Sequence, residues 1–590
     1  MGFCVQKDIK KQYDRKDVNM LQIKKRLSSG LKTVLDSMNT SHGLDEEKIA
    51  QMLEYPPDEK MGDIALPCFK LSKSLRMSPV MISEKIASEL SDENVERIET
   101  VNGYLNIYIK KSYFSEKVLS DILEKGDKYG SFDFGNGKTV VLDYSSPNVA
   151  KPFHIGHLGT TVIGHSLKKL HEFAGYNCVG VNHLGDWGTQ FGKLIVAYHL
   201  WGDRATIEEK GIDELVALYV RFHKEAEEDP TLNDKARAEF TKLEHFDEEN
   251  IKLWKWFIEI SIEEYKKTYK QLDIEFDSYC GESFYSDKMP AVIDEMKQKN
   301  LLKIDDGASV VDLEEYKMPP CLILKRDGSS LYPARDISAA LYRKNTYDFE
   351  KVIYVTDAGQ SLHFAQWFKV VELMGYEWAK NLVHVPYGKV SLNGEKLATR
   401  TGNVILLKDL FASAIEKVKD IMNEKNPNLE NRDEKAEAVG VGAIVFYYLS
   451  NNRIKDINFM LEDALNFDGN TGPYAQYTYA RTCSVLEKAN DIAKDIEITY
   501  SMNDKEKALL RTLSLFPEKV LQAINDYEPS VITRYILDVC TDFNGFYHDC
   551  QILGADDEST KVFRIKLTEA VNYVLGNAFS LICMRKTEKI

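Results

Sequence analysis

The sequence predicts a multidomain α/β protein in which a parallel-sheet core stands between a small α+β domain and an all-α domain. Three observations carry that expectation. At 590 residues and 67.4 kDa the chain is too long for one hydrophobic core, so two to four domains are expected. A strand, a helix and a second strand succeed one another between Thr139 and Val181, the pattern of a βαβ unit in a parallel sheet. Beyond Leu407 helical spacing with short loops takes over.

In chain order, residues 1–20 read as an N-terminal arm. From Leu21 to Met38, apolar residues at 23, 27, 31, 34, 35 and 38 form a helical stripe. "YPPDEKMGD" is a loop by its Pro and Gly content, and "VNGYLNIYIK" alternates as a strand with Leu105, Ile107 and Ile109 on one face. Residues 21–135 therefore make the α+β domain, closed by the Gly-rich linker "YGSFDFGNGK". In residues 136–406, "TVVLDY" is a buried strand, and Leu158, Val162, Leu167, Leu170 and Phe173 keep helical spacing until Gly175. "NCVGVNHLGDWG" is a second strand running into a Gly-rich turn. A helical insertion at about 200–270 puts Leu215, Leu218, Tyr219 and Phe222 on one face and breaks at Asp229-Pro230; its Trp254, Trp256 and Phe257 are expected in a core. Sheet patterns resume at "KVIYVTD" and "NLVHVPYGKV". Residues 407–466 read as a helical junction and 467–590 as the all-α domain.

Apolar content of 44% with 28% charge belongs to a folded soluble protein. The longest apolar run, Ala436 to Leu449, is too short to span a bilayer, so a buried helix and no membrane partner are expected. The N-terminus carries no secretory pattern, and Gln6 stands where a myristoylation site needs Ser or Thr. Nine scattered cysteines without a Cys-x-x-Cys indicate reduced thiols, a cytoplasmic location and no zinc site. The formal charge of −16 excludes nucleic-acid binding through overall positive charge. Local basic surfaces stay possible, because screening confines each charge to about 10 Å.

The chemistry concentrates in "DYSSPNVAKPFHIGHLGTT", Asp143 to Thr161. Pro147 and Pro152 stiffen the loop, and a helix is expected to begin near His154. His154 and His157, three apart, share one face of its first turn. Unpaired N–H groups and the positive dipole end would seat a polyphosphate there, and Gly156 lets a flat base approach the backbone. The imidazoles can donate to oxygens that gain charge as pyrophosphate leaves. A metal pair and two structural histidines are the alternatives; zinc would need a third ligand and usually i, i+4 spacing. Asp143 ends an apolar strand, where open α/β sheets bind ligands. Tyr332 and Asp336 stand at i, i+4 in a helix with Pro333 in its first turn, so both can face one pocket. In the helix opening at Pro473, Tyr474, Tyr477 and Arg481 lie along one stripe, suited either to stacking on bases and pairing with phosphate or to core packing.

H-I-G-H after a first strand resembles the class I aminoacyl-tRNA synthetases. "SSPNVAKPFHIGHL" and "NHLGDWGTQFG" are similar to the arginyl-tRNA synthetases in particular, as are "MGDIALPCFKLSK", "LYPARDISAALYR", "GQSLHFAQ", "EKLATRTGN" and "FDGNTGPYAQYTYAR". The resemblance implies a Rossmann-type catalytic domain, an N-terminal tRNA-binding domain and a C-terminal anticodon-binding domain. It further implies activation of L-arginine by ATP with Mg2+, transfer to tRNA(Arg), no tightly bound protein metal and, by preference, a monomer. It places His154, His157, Lys151, Lys396 and Arg400 in catalysis, and Phe153, Gly156, Lys396 and Thr399 on ATP. Asp143, Ser146, Asn148, His154, Tyr332, Asp336 and Gln360 fall on arginine, and Tyr474, Tyr477 and Arg481 become candidates for tRNA. In the loop matching K-M-S-K-S, Lys396 is present and the second lysine is not; Lys151 or Arg400 is expected to replace it. Gly159 is a departure, since Arg commonly stands there. Another ligase or nucleotidylyltransferase with the H-x-G-H fold, and a non-catalytic RNA-binding or regulatory relative, are the competing readings.

Overall fold

A computed structural model describes residues 18–38, 42–392, 395–396, 405–492 and 500–590; most of the N-terminal arm, with Cys4, lies outside the described residues. Helix Met20–Met38 buries Ile23, Leu27, Leu31, Val34 and Leu35, the stripe read from the sequence. It lies beside helix Pro79–Glu89, which packs on an antiparallel sheet of β1 (Ile64–Pro67), β2 (Val95–Val101) and β3 (Tyr104–Ile109), ordered β1-β3-β2. Because β3 is central, Asn106 and Tyr108 are buried along with Leu105, Ile107 and Ile109, so the expected one-sided alternation is absent. Tyr108 is covered by Arg97, whose guanidinium lies 3.6 Å from the ring centroid.

The parallel-sheet core begins with β4 (Thr139–Asp143), crosses over through helix Leu158–Phe173 and returns in β5 (Asn177–Val181). Five helices follow, from Thr189–Trp201 to Glu248–Gln271, so the insertion starts earlier than the predicted 200. A three-stranded antiparallel sheet of β6 (Leu302–Asp305), β7 (Ala308–Val311) and β8 (Cys321–Leu324) was not predicted. Helix Tyr332–Tyr347 then leads to β9 (Lys351–Asp357), and helix Ser361–Leu373 to β10 (Leu382–Tyr387). The four core strands are all parallel, in the order β10-β9-β4-β5. The chain winds from β4 toward β5 and later from β9 toward β10. The two windings part between β4 and β9, and at their carboxyl ends such a sheet opens a binding crevice.

Beyond it, β11 (Val390–Leu392), β12 (Glu395–Lys396) and β13 (Ile457–Phe459) pair as β12-β11-β13. The 407–466 junction is therefore not purely helical: β13 runs parallel to β11. Helix Arg432–Leu449 buries most of the long apolar run, and among the described residues no helix is long and apolar enough to cross a membrane. Among the described residues, five helices, from Gly472–Lys488 to Glu558–Leu581, make the all-α domain. It grips the N-terminal domain through buried Asp63, which accepts from Ile109 N at 2.7 Å and pairs with Lys507 at 2.8 Å. The eight described cysteines are free.

Candidate active site

The loop after β4 holds three non-glycine residues in left-handed conformation, Ser145, Ser146 and Ala150 with φ of 69°, 46° and 56°. Each costs on the order of 1 kcal/mol or more and is tied down locally. Ser145 Oγ lies 2.8 Å from both Thr161 Oγ1 and Tyr269 Oη. Ser146 N donates to Asn182 Oδ1 and Ala150 N to Ser261 Oγ, both at 3.1 Å. Gly185 must lack a side chain, because a Cβ there would lie 3.0 Å from Asn148 Cγ and closer to its Oδ1.

The histidine turn differs from expectation in one respect. His154 caps a short 3-10 turn, Ile155–His157, that runs into the long helix. Gly156 N donates to His154 Nδ1 at 3.0 Å, and His154 N donates to His157 Nδ1 at 3.2 Å. The backbone donors expected to seat phosphate are therefore taken by the histidines themselves. With both Nδ1 atoms accepting, each neutral ring carries its proton on Nε2, and the two Nε2–H groups become the available donors. The ring centroids are 4.0 Å apart.

Burial, then Lys151, lowers His154 to about 4; burial, then the neighbouring His154, lowers His157 to about 3. Burial also takes His165 and His171 to about 3. A folded pKa below the unfolded 6.5 means that the unfolded chain binds more protons in that interval. Stability is then fully present above about pH 6.5 and lost as pH falls toward 4. Thermal unfolding from pH 8 to 4.5 should give a Tm that is level at the upper end and falls below about 6.5.

Phe153, assigned to ATP by resemblance, is instead buried, stacking on His157 with centroids 5.1 Å apart and meeting Tyr265 and Tyr269 from below. Its ring supports the imidazole. Directly behind the turn, Ile155 N donates to Ile405 O at 3.2 Å and Leu407 N to Phe153 O at 2.9 Å. The chain leaving the K-L-A-T-R segment is thus stitched to the histidine turn. Lys396 stands in β12 opposite Ser391; Thr399 and Arg400 lie outside the described residues. Lys151 is close enough to bear on both imidazoles.

In front of the turn, a cleft of roughly 540 Å³ brings together Asp143, Ser146, Asn148, His157, Tyr332, Asp336 and Gln360. His154, Lys151 and Gly156 fall outside its wall. Helix Tyr332–Tyr347 delivers Tyr332, Asp336, Ala339 and Arg343 along one stripe. Asp336 accepts from His363 Nε2 at 2.6 Å. Asp143, expected on a guanidinium, is already engaged: Arg343 Nη2 lies 2.8 Å from Oδ2, and Ser146 Oγ donates to Oδ1 at 3.0 Å. Arg343 is 1% exposed. Burial alone would lower its pKa, but Asp143, Tyr354 and Tyr285 hold it above the ordinary value. Replacing Arg343 with Met strands a buried carboxylate, and urea unfolding should show a loss of about 3–5 kcal/mol. The Asp143→Asn, Arg343→Met double variant should recover much of it.

Arg343, His363 and Glu282 were missed. Arg343 and His363 sat within the quoted "LYPARDISAALYR" and "GQSLHFAQ"; extending the helical stripe from Asp336 by seven reaches Arg343. Glu282 lies in an isolated 3-10 turn, with no periodicity to mark it. Burial, partly offset by its partner Arg335, pushes it up to about 7.

In the C-terminal domain Tyr477 is half-exposed, and Arg481 lies over its ring at 5.1 Å and over Tyr547 at 4.8 Å. Tyr474 is turned partly inward, its hydroxyl accepting from Asn544 Nδ2 at 2.9 Å. Tyr547, on helix Ser530–Asp549, escaped a reading confined to one helix.

Three family models match in succession. They are described as "Arginyl tRNA synthetase N terminal domain" at residues 21–109, "tRNA synthetases class I (R), catalytic domain" at 118–461, and "DALR anticodon binding domain" at 475–590. The arginine–tRNA ligase of Alkaliphilus metalliredigens is 50% identical over 573 residues, covering 97% of this chain and 100% of that relative. The chain belongs to the arginyl-tRNA synthetases. Another member of the family, the arginine–tRNA ligase of Clostridioides difficile, is 50% identical over 549 residues, covering 93% of this chain and 97% of that one. The arginyl-tRNA synthetase of Thermus thermophilus shares the fold with a TM-score of 0.82 at 23% identity, over 96% of this chain and 100% of the other. That of Plasmodium falciparum gives 0.79 at 26% identity, over 96% and 99%.

Proposed function

We propose that this cleft activates L-arginine with ATP and passes it to the 3'-terminal adenosine of tRNA(Arg). The protein is an aminoacyl-tRNA ligase, an arginine–tRNA ligase by class. The observation that carries the assignment of roles is the pair of Nε2–H donors fixed by their own capping bonds, beside the anchored backbone of Ile405 and Leu407 and at the edge of a cleft containing Asp336.

An arginine carboxylate oxygen attacks the α-phosphorus, the bond to the β-phosphate breaks and pyrophosphate leaves. The ribose hydroxyl of the terminal adenosine then attacks the acyl carbon and AMP departs. No side-chain nucleophile is needed, so the protein supplies position and charge. His154 and His157 donate to the phosphate oxygens, while Lys396 and Lys151, with Arg400 as the alternative, offset charge on the leaving group. Gly156 and Thr399 accompany the nucleotide. Asp336 and Tyr332 hold the guanidinium; Asn148, Ser146 and Gln360 hold the amino-acid end. Asp143 acts through its ion pair with Arg343. Among the described residues no three His, Cys, Asp or Glu side chains converge to hold a metal ion. Mg2+ would arrive with ATP, its ligands being phosphate and water.

Residues 21–135 and 467–590 would contact the tRNA, with Tyr477 and Arg481 the anticodon candidates; a cytoplasmic monomer fits this reading. ATP–pyrophosphate exchange, run with each amino acid and with and without tRNA, tests it. Exchange with arginine alone among the amino acids is expected. Exchange with another amino acid, or tRNA binding without exchange under any condition, would reverse the assignment.

A further inference from the structure

Glycine at position 159 needs a physical reason. It sits in the second position of helix Leu158–Phe173, where it costs about 1 kcal/mol relative to alanine, at the place where the resemblance implies an arginine. The reason is a close approach. A Cβ on Gly159 would lie 2.7 Å from Cζ of Tyr448, nearer still to its Oη, and 3.2 Å from Cε1. The edge of the ring occupies the space that a side chain would take. Tyr448 is 3% exposed, in the last turn of helix Arg432–Leu449. Burial, then Tyr387 and Asp357, raises its phenol; both of those residues line the cleft.

The surroundings tie this contact to the reaction. Gly159 comes two residues after His157. Eight residues beyond Leu449 the chain enters β13, whose Ile457 pairs with Val390 of β11; β11 in turn pairs with β12, where Lys396 stands. On its other side, helix Arg432–Leu449 meets helix Gly472–Lys488 closely. A Cβ on Gly472 would lie 3.0 Å from Gly442 O and from Phe446 Cβ, and Gln476 Nε2 donates to Ala438 O at 3.2 Å. One helix thus touches the first turn of the helix that continues the histidine turn, through Tyr448 and Gly159, the strand β13 that pairs with β11, through Tyr447 and Phe459, and the helix bearing Tyr477 and Arg481.

We propose that Tyr448 is a positioning residue for the histidine turn, seated through the space left by Gly159 against the helix that continues the turn, and that this contact sets the distance between the turn and the Lys396 strand. The proposal rests on the reading of His154 and His157 as the phosphate donors. A side chain at 159 must displace either the ring or the first helical turn, and interiors as dense as these do not absorb such a shift silently. A contact that only held the fold together would change stability and leave the kinetics of properly folded enzyme alone.

The test uses the full chain and ATP–pyrophosphate exchange with arginine and tRNA, resolving kcat and both KM values, with Tm measured in parallel. Gly159→Ala should lower kcat by about 10- to 100-fold, the scale of a displacement near 1 Å, with the arginine KM close to wild type. Adding Tyr448→Ala should bring the double variant to the rate of Tyr448→Ala alone, and Gly159→Ala with Tyr448→Phe should fall between. Tyr448→Leu, which leaves the helix backbone untouched, should lower kcat in enzyme that is still folded at the assay temperature, beyond the fall in Tm that the lost burial brings. Wild-type kcat in Gly159→Ala or Tyr448→Leu overturns the proposal, and so do losses that simply add in the double variant. Failure of the underlying reading is separate: His157→Ala with undiminished exchange would remove the donors from the mechanism, whatever the coupling between 159 and 448.

Discussion

Asp336→Asn should raise the arginine KM by about 100- to 1,000-fold, corresponding to about 3–4 kcal/mol for a charge-assisted pair with a guanidinium. The substitution keeps the shape of the side chain and removes its charge. His363 donates to Oδ2 at 2.6 Å, which holds the carboxylate in one orientation before substrate enters. An asparagine in that place must either turn its amide NH2 toward His363 or turn it toward the incoming guanidinium, itself a set of donors. The ATP KM should change little, because in the proposed roles Asp336 meets the guanidinium and not the nucleotide. The matching experiment at Asp143 should give a different result. Arg343 already supplies Asp143 with a counter-charge at 2.8 Å, so Asp143→Asn should move the arginine KM by under about tenfold and act mainly on stability. Equal KM effects at the two positions would mean that Arg343 swings away on binding and both acids read the substrate. An unchanged KM in Asp336→Asn would remove this acid from selection altogether.

The contrast between these two acids marks where the sequence is informative and where it is not. Strand β4, helix Leu158–Phe173 and β5 are local patterns, each stabilised by periodic burial of its own residues, and periodicity is visible in one dimension. The pairing of β11 with β13 joins residues more than sixty positions apart, and nothing in either short segment names the other. The ion pair between Asp143 and Arg343 has the same character. Each residue was visible as a polar group on a predicted element, but only the packing of helix against sheet decides that they meet. The capping bonds of the histidine turn lie between these cases. The i, i+3 spacing was legible and correctly put both rings on one face. That the Nδ1 atoms would turn back onto the backbone depended on a left-handed residue at Ala150 and on Phe153 packing underneath, both products of the folded loop. Gly159 was legible only as an anomaly until Tyr448 came from 289 residues away in sequence.

His157→Ala should lower kcat for arginine-dependent exchange by about 100- to 1,000-fold, the effect of deleting one preorganised donor to a developing oxyanion. The arginine KM should stay near wild type, because in the proposed mechanism the ring donates to phosphate and not to the amino acid. His157→Gln should retain more activity than Ala, since its amide nitrogen reaches about as far as Nε2, although it cannot cap the His154 N–H equally well. The pH profile gives an independent check. Burial, followed by the charge of Lys151 or the neighbouring ring, holds His154 at about 4 and His157 at about 3, so both donors are neutral through the working range. The wild-type rate should then show no fall as pH rises through 6.5, which a cationic imidazole would impose. A decline with an apparent pKa near 6.5 that vanished in His157→Gln would mean that the bound nucleotide draws a proton onto the ring. The Nδ1 capping bond to His154 N would then have to break in each cycle, and the turn would be a moving part instead of a fixed one.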